Sequence, residues 1–218
     1  MELAQEIIQY LPQKDQFTLW LVSEFWRRVT PDDVFTAIDM NGCEAAIGWL
    51  GLPDNFKNRI MNCCRSLSCE IDNIEHRSNT PFHTFFTKDL HGFKQLTSLR
   101  LAAVYLDDYQ LIKDSQPQIK DLTLDNCHST LEGFATLVNN FPELTHLTLI
   151  NIIHLPIQQE KVPPPLFNSP SQSPRKLSLV TSSLDSAPIL KWTLSGRWDK
   201  VSVLRGNDWE QYESRATR

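Results

Sequence analysis

The chain has 218 residues, of which 41% are hydrophobic and 22% charged, and its formal net charge is -5. This composition is typical of a globular protein and excludes a fibrous or largely disordered chain. The acidic balance, without a stripe of Lys and Arg, argues against a nucleic-acid partner and against a membrane surface.

Three further absences narrow the class of protein. No apolar run reaches the length of a membrane-spanning helix. Five cysteines without the spacing of a secreted disulfide framework indicate reduced thiols. The N-terminus lacks a basic, apolar leader, so we expect an intracellular protein of the cytoplasm or nucleus.

The first forty residues have the apolar spacing of short helices. Leu3, Ile7 and Leu11 recur at helical spacing, and Leu11-Pro12 ends this segment because proline cannot continue the hydrogen-bond ladder. Asp15 then stands at an N-cap position. The apolar residues of the stretch that follows share one helical face: Leu19, Val22, Trp26 and Val29. So short a segment cannot bury all its large side chains, which predicts a partner surface.

These residues carry a family resemblance. Leu3-Ala4-Gln5-Glu6-Ile7, Leu11-Pro12-x-x-Asp15, Val22-Ser23 and Trp26-Arg27 resemble an F-box, with Ala4 where that family usually has the proline that begins the first helix. The resemblance implies a three-helix F-box over residues 1–40 that binds a Skp-type adaptor protein. The adaptor-binding residues that it implies are Leu3, Ile7, Leu11, Pro12, Leu19, Val22 and Trp26.

Residues 41–92 are predicted to form a helical linker and a degenerate first repeat. Residues 56–64 supply one helix, and Leu67-Ser68-Cys69 begins the first repeat strand. The stretch 79–91, which contains Pro81 among Thr, His and Phe, suits an irregular surface loop. Apolar residues also predict a further helix that involves Phe35, Ile38, Ile47, Trp49 and Leu50.

One short phrase then occurs three times, with spacings of 23 and 25 residues between copies. It reads Leu96-x-x-Leu99-x-Leu101, Ile119-x-x-Leu122-x-Leu124 and Leu144-x-x-Leu147-x-Leu149. This spacing is typical of a leucine-rich repeat. Because such a unit buries its leucines only by stacking on its neighbours, the pattern predicts a curved solenoid with a parallel sheet. Leu99, Leu122 and Leu147 should then lie in one interior column on adjoining strands.

The repeat region is predicted to cover residues 93–218. Weaker copies of the phrase begin at Lys176 and Trp198, and a proline-rich insertion over residues 156–174 separates the first of them from the clear repeats. Ser129-Thr130-Leu131-Glu132 predicts a capping box for a helix that ends before Pro142. Cys127 stands where the repeat family places Asn or Cys to satisfy backbone groups. The predicted fold class is therefore α/β, an F-box followed by an irregular solenoid.

Alternation along each strand predicts which side chains face outward, on the concave surface. The outward residues are a candidate substrate-binding face because a curved repeat array presents them to another macromolecule. They carry both signs of charge, which gives no preference for the charge of a partner. They are Arg100, Asp121, Thr123, Asp125, His146, Thr148, Lys176 and Ser178.

An F-box followed by leucine-rich repeats resembles the substrate receptors of cullin-RING (SCF-type) ubiquitin ligases, especially those of mushroom-forming fungi. The resemblance implies that the F-box binds the Skp-type adaptor of the cullin complex while the repeats hold a target protein. It implies a non-catalytic subunit without a cofactor. A repeat protein that serves as an interaction scaffold, with no ubiquitin-ligase role, remains the alternative.

The residues by themselves give little support for an enzyme or a metal site. No nucleophile elbow, zinc-protease motif or glycine-rich phosphate loop occurs, so no catalytic residue is predicted. Cys63, Cys64, Cys69 and His76 lie close together in sequence, but vicinal cysteines do not have the spacing that lets two thiolates bind one tetrahedral ion. We therefore expect no metal and no cofactor.

Overall fold

The computed structural model describes residues 6–8, 10–11, 15, 32–71, 81–107, 118–156, 175–181, 187–196 and 198–205. Within these residues the chain has a mixed α/β fold built on a parallel sheet of seven strands. Those strands are β1 (Ala37–Asn41), β2 (Ser66–Glu70), β3 (Ser98–Ala102), β4 (Asp121–Asp125), β6 (His146–Ile150), β8 (Lys176–Thr181) and β9 (Lys200–Arg205). A smaller sheet pairs β5 (His128–Ser129) with β7 (Ile153–His154).

Helices lie in the connections between the strands of the large sheet. In the described parts of the chain they are α1 (Gly42–Leu50), α2 (Asp54–Cys63), α3 (Pro81–Lys88), α4 (Leu131–Asn139) and α5 (Ala187–Leu194), with 3-10 turns at Asp32–Phe35 and Leu90–Gly92. Residues 6–8 are also helical. The large sheet has the order β1-β2-β3-β4-β6-β8-β9, so each of its strands pairs with the next one along the chain. Parallel neighbours need such crossover connections.

The predicted leucine column is confirmed. Leu99 is paired in register with Leu122, and Leu122 with Leu147, and all three side chains are buried. Leu67 and Leu177 extend the same buried column to β2 and β8. Each buried leucine contributes about 1.5–3 kcal/mol relative to an exposed one, so the column is a major source of stability.

The sheet begins earlier than the sequence predicted. The prediction of a helix that includes Phe35 and Ile38 is wrong, because residues 37–41 form strand β1 beside β2. The Thr36 carbonyl accepts hydrogen bonds from the backbone N–H groups of Arg65 and Ser66, at 2.8 and 3.0 Å. These long-range hydrogen bonds stabilise a strand here, although the local apolar spacing favours a helix. The helix α1 starts only at Gly42, whose φ of 77° suits glycine.

The prediction of an irregular loop over residues 79–91 is also wrong for residues 81–91, which are the ones that the structure describes. Pro81 begins helix α3, in the first turn, where its missing N–H costs nothing. Phe85 is completely buried and meets Trp49 edge to face at a centroid distance of 5.7 Å. Trp49 also stacks on Phe93 at 5.4 Å. Packing of its phenylalanines against other aromatic rings stabilises this proline-containing stretch as a helix.

A recurring turn follows three neighbouring strands. Ala103, Asn126 and Asn151 stand directly after β3, β4 and β6, with φ values of 54°, 49° and 48°. Each backbone N–H of these residues donates to the carbonyl of the last residue paired on the next strand, as Ala103 does to Asp125 at 2.9 Å. Cys127 follows in the turn after β4, and its Sγ donates to the Leu101 carbonyl at 3.3 Å. This is the backbone-satisfying role predicted for Cys127.

The cap of helix α4 lies one residue later than predicted. Thr130, not Ser129, is the N-cap, and its Oγ1 accepts a hydrogen bond from Gly133 N at 3.0 Å. The Asp107 carboxylate accepts bonds from Thr130 N, at 2.9 Å, and from Thr130 Oγ1. The carboxylate of a distant turn therefore fixes where the helix begins, which a local capping motif cannot indicate.

The domain borders at residues 40 and 92 stay predictions, and the sheet is continuous across both positions. The proline-rich insertion predicted over residues 156–174 lies outside the described residues, apart from Pro156 at its start. The two weak copies of the repeat phrase correspond to strands β8 and β9.

Candidate functional site

The described N-terminal residues have one buried and one exposed side. Ile8 is fully buried, whereas the neighbouring Ile7 is 47% exposed and Leu11 is half-buried. Ile7 and Leu11 are the two predicted adaptor-binding residues that the structure describes. The others lie outside the described residues: Leu3, Pro12, Leu19, Val22 and Trp26.

The register of the sheet arranges its outward side chains in three rows that cross the strands. The first row runs Ala37, Ser66, Ser98, Asp121, His146, Lys176 and Lys200. The middle row runs Asp39, Ser68, Arg100, Thr123, Thr148, Ser178 and Ser202. The last row runs Asn41, Glu70, Ala102, Asp125, Ile150 and Val180. All eight predicted substrate-binding residues fall in these rows, so the structure brings them together on one face.

Arg100 links three strands through its guanidinium. Its Nη2 donates to Asp125 Oδ2 at 2.7 Å, and its Nη1 lies 3.5 Å from Glu70 Oε2 and 3.3 Å from Ser68 Oγ. Burial by itself lowers the pKa of Arg100, but the hydrogen bond and charge of Asp125, helped by Glu70, outweigh it and raise the pKa. The cation is therefore matched by carboxylates of its own sheet.

A second pair joins β4 to β6. His146 Nδ1 lies 2.9 Å from Asp121 Oδ1, and both side chains are about half exposed. The Thr145 hydroxyl lies 3.0 Å from the same ring nitrogen. Asp121 thus has a partner for a charged hydrogen bond whenever the imidazole is protonated.

Lys176 and Lys200 are placed differently from these paired groups. They stand opposite each other on β8 and β9, and both are exposed. Neither has an ion-pair partner in the part of the chain that the structure describes. The carboxylate next to Lys200 in sequence, that of Asp199, accepts a hydrogen bond from the backbone N–H of Arg175 at 2.5 Å. Among the described residues, the face therefore has paired charges on β2–β6 and two cations without an ion-pair partner on β8–β9.

The apolar side chains of the last row are buried. Alternation from the buried leucines places Ala102, Ile150 and Val180 on the outward side, yet all three are buried. The first and middle rows therefore supply most of the accessible surface.

Asp39, Ser68, Glu70 and Lys200 are among the outward residues that sequence reasoning missed. Asp39 lies on β1, which was predicted as helix, and Ser68 and Glu70 lie on the degenerate first repeat strand. Lys200 lies on the weakest copy, where valine replaces leucine at Val201. The period-two alternation in these short segments is a signal that could have found them.

Three of the five cysteines lie in the core, namely Cys64, Cys69 and Cys127. Burial raises the pKa of Cys64 and of Cys127 to about 12, and it also raises the pKa of Cys69. These thiols stay protonated at neutral pH, and a protonated thiol is a poor nucleophile and a poor metal ligand. Across the described ranges, no group of three His, Cys, Asp or Glu residues is placed to hold a metal ion.

Residues 1–37 match the family model of the F-box domain. This match supports an F-box protein and agrees with the motifs between Leu3 and Trp26. F-box domains typically bind Skp-type adaptors in cullin complexes. No curated protein matches the chain. Among the described residues, no helix is both long and apolar enough to cross a membrane.

Proposed function

We propose that this protein is the substrate-recognition subunit of an SCF-type ubiquitin ligase. The F-box binds a Skp-type adaptor, and the outward face of the sheet holds a target protein. The observation that carries the proposal is the F-box match over residues 1–37, which leads directly into the first strand at Ala37. In this role the chain is not an enzyme, because the transfer of ubiquitin belongs to other subunits. An intracellular location follows from the same proposal.

We also propose that the sheet is an array of leucine-rich repeats of the kind found in receptors of mushroom-forming fungi. A repeated hydrogen-bond pattern supports this. The carbonyls of Arg65, Lys120 and Arg175, each just before a strand, accept bonds from two successive N–H groups of the next unit. For Lys120 the donors are Thr145 and His146, at 2.8 and 2.9 Å. Identical contacts at successive units are what a stacked array requires.

The exposed side of the N-terminal helical stretch supports adaptor binding. Ile7 leaves nearly half of its side chain in solvent while Ile8 anchors the stretch in the protein. Burial of such an exposed apolar side chain by a partner is favourable by about 25 cal/mol per Å² of apolar surface.

Copurification with the Skp-type adaptor tests the adaptor role. The two proteins are expressed together, and the complex is recovered through a tag on this chain. Leu11→Asp and Trp26→Asp should each abolish recovery of the adaptor. Ile47→Asp is the matched control, because Ile47 is 57% exposed on α1, outside the F-box match, and this variant should retain the adaptor.

Two outcomes would count against the proposal. If the folded wild-type chain does not retain the adaptor, the F-box role fails. If a target protein is then still bound through the outward face, the chain is an interaction scaffold without a ubiquitin-ligase role.

A further inference from the structure

We infer that the outward face of β6, β8 and β9 binds an acidic segment of a target protein through Lys176 and Lys200. The inference rests on the proposed function, because it names the chemistry of the target that the sheet would hold. It commits to a protein segment rich in Asp and Glu as the occupant of this part of the face.

The argument begins with the charges that are already matched. On β2, β3 and β4, Arg100 is paired with Asp125 at 2.7 Å and lies 3.5 Å from Glu70. Asp121 lies 2.9 Å from His146 on the next strand. These groups satisfy one another within the sheet, so a partner gains little by contacting them.

Lys176 and Lys200 form no such ion pair with any of the described residues. They occupy directly opposed positions on adjacent strands, which lie about 4.8 Å apart. Like charges in this arrangement destabilise a sheet, and no carboxylate of the described residues forms an ion pair with either lysine. A carboxylate placed between the two ammonium groups removes that repulsion and gains two charge-assisted hydrogen bonds.

The neighbouring row adds suitable hydrogen-bonding groups. Thr148, Ser178 and Ser202 follow one another in the middle row beside the lysines, and each is partly exposed. Hydroxyl groups can donate to carboxylates and to the backbone carbonyls of a bound segment. The combination of paired lysines with a row of hydroxyls fits a short acidic peptide lying across the strands.

A nucleic acid is less well matched to this surface. Two lysines neutralise few phosphates, and the carboxylates of Asp121 and Asp125 lie on a strand of the same face. A longer polyanion that extends along the face would meet this acidic part and be repelled. A short acidic segment confined to β6–β9 avoids it.

The test measures binding of three labelled ten-residue peptides to the full chain by fluorescence anisotropy at low salt. The peptides carry four Glu, four Gln or four Lys residues in the same Ser/Gly background. The Glu peptide should bind, and the Gln and Lys peptides should bind about tenfold more weakly or not at all. In the K176E/K200E variant the Glu peptide should lose about tenfold in affinity, and the Lys peptide should become the tighter ligand.

A matched control separates the site from overall charge. K94E/K191E makes the same change in net charge, but Lys94 precedes β3 and Lys191 lies on α5, outside the three rows. This variant should bind the Glu peptide like the wild type. Circular dichroism of each variant establishes that the fold is retained.

Several results would overturn the inference. These are equal binding of the Glu and Gln peptides, an effect of K94E/K191E as large as that of K176E/K200E, or tighter binding of oligo(dT) than of the Glu peptide. Adaptor copurification is scored separately on the same preparations. Retained adaptor without peptide binding defeats the inference alone, whereas peptide binding without adaptor defeats the F-box role alone.

Discussion

At the scale of single residues, the start of helix α4 shows how a distant side chain fixes a local structure. Gly133 lies in the first turn, against the Asp107 carboxylate that binds Thr130. A Cβ at Gly133 would lie 2.0 Å from Asp107 Oδ1 and 2.7 Å from its Cγ. The glycine is needed for this close approach, although glycine is a poor helix former.

Gly133→Ala should therefore destabilise the protein, by about 1–3 kcal/mol, because the carboxylate must move off the cap. Gly48→Ala is the matched control in α1, where the added Cβ meets nothing within 4 Å. That change should stabilise the protein by about 0.5–1 kcal/mol through helix propensity. Urea unfolding measures both free energies, and the same sign for the two variants would contradict this account.

At the scale of elements, one carboxylate joins the three helices that connect strands β1, β2 and β3. Asp89, just after α3, accepts a hydrogen bond from Trp49 Nε1 on α1 at 2.7 Å. The same oxygen lies 3.5 Å from Lys57 Nζ on α2. Both charged side chains are mostly buried, so their pairing offsets a substantial desolvation cost.

Asp89→Ala should lower the free energy of unfolding by about 2–4 kcal/mol, because it leaves Lys57 buried without its counter-ion and the Trp49 indole without its acceptor. Asp89→Asn should lower it less, since the amide oxygen can still accept from Trp49. Asp39→Ala is the control at an exposed carboxylate of β1 and should change stability by about 0.5 kcal/mol or less. Equal effects of Asp89→Ala and Asp39→Ala in urea unfolding would rule out this role for Asp89.

At the scale of the whole molecule, the described core is continuous. A single cluster of buried side chains extends from Phe35, before β1, to Trp192 on α5. It includes Cys69 on β2 and Cys127 after β4. In the proposed repeat array each unit packs only on its neighbours, so this continuity is what makes distant units unfold together.

Two of the three buried thiols, those of Cys69 and Cys127, give a direct measurement of this coupling. Cys69 and Cys127 are fully buried with raised pKa values, so N-ethylmaleimide should not modify them in the native protein at pH 7. Both should become reactive over the same range of urea concentration, as located by peptide mass spectrometry. The partly buried Cys43 and Cys63 should react first and serve as internal controls. Modification of Cys69 at clearly lower urea than Cys127 would show independent unfolding of the two regions.

The same thiols predict a loss of stability at alkaline pH. The folded pKa of Cys127 is about 12 against an ordinary value of 9.0, so between these values the unfolded chain has released a proton that the folded chain keeps. Stability therefore falls as pH rises through this window, by up to about 1.4 kcal/mol per pH unit for each such thiol. Cys127→Ala should reduce this slope, as measured by urea unfolding at a series of alkaline pH values.

The regular part of the fold could be predicted from particular residues. Leu99, Leu122 and Leu147 alternate with polar neighbours at a spacing that only stacked strands can bury, and they lie in one column. The assignment of β1 and α3 failed because the decisive contacts are long-range. Strand β1 depends on β2, and α3 depends on aromatic partners such as Trp49.

The sequence by itself determined the stacking of the leucine strands, the outward position of eight side chains on β3, β4, β6 and β8, and the F-box resemblance, because each depends on spacing along the chain. Only the tertiary structure decided which outward charges are matched. Arg100 reaches Asp125, whereas Lys176 faces Lys200, because register places residues from separate units side by side. Electrostatic energy depends on these distances in space, and the order of residues does not contain them.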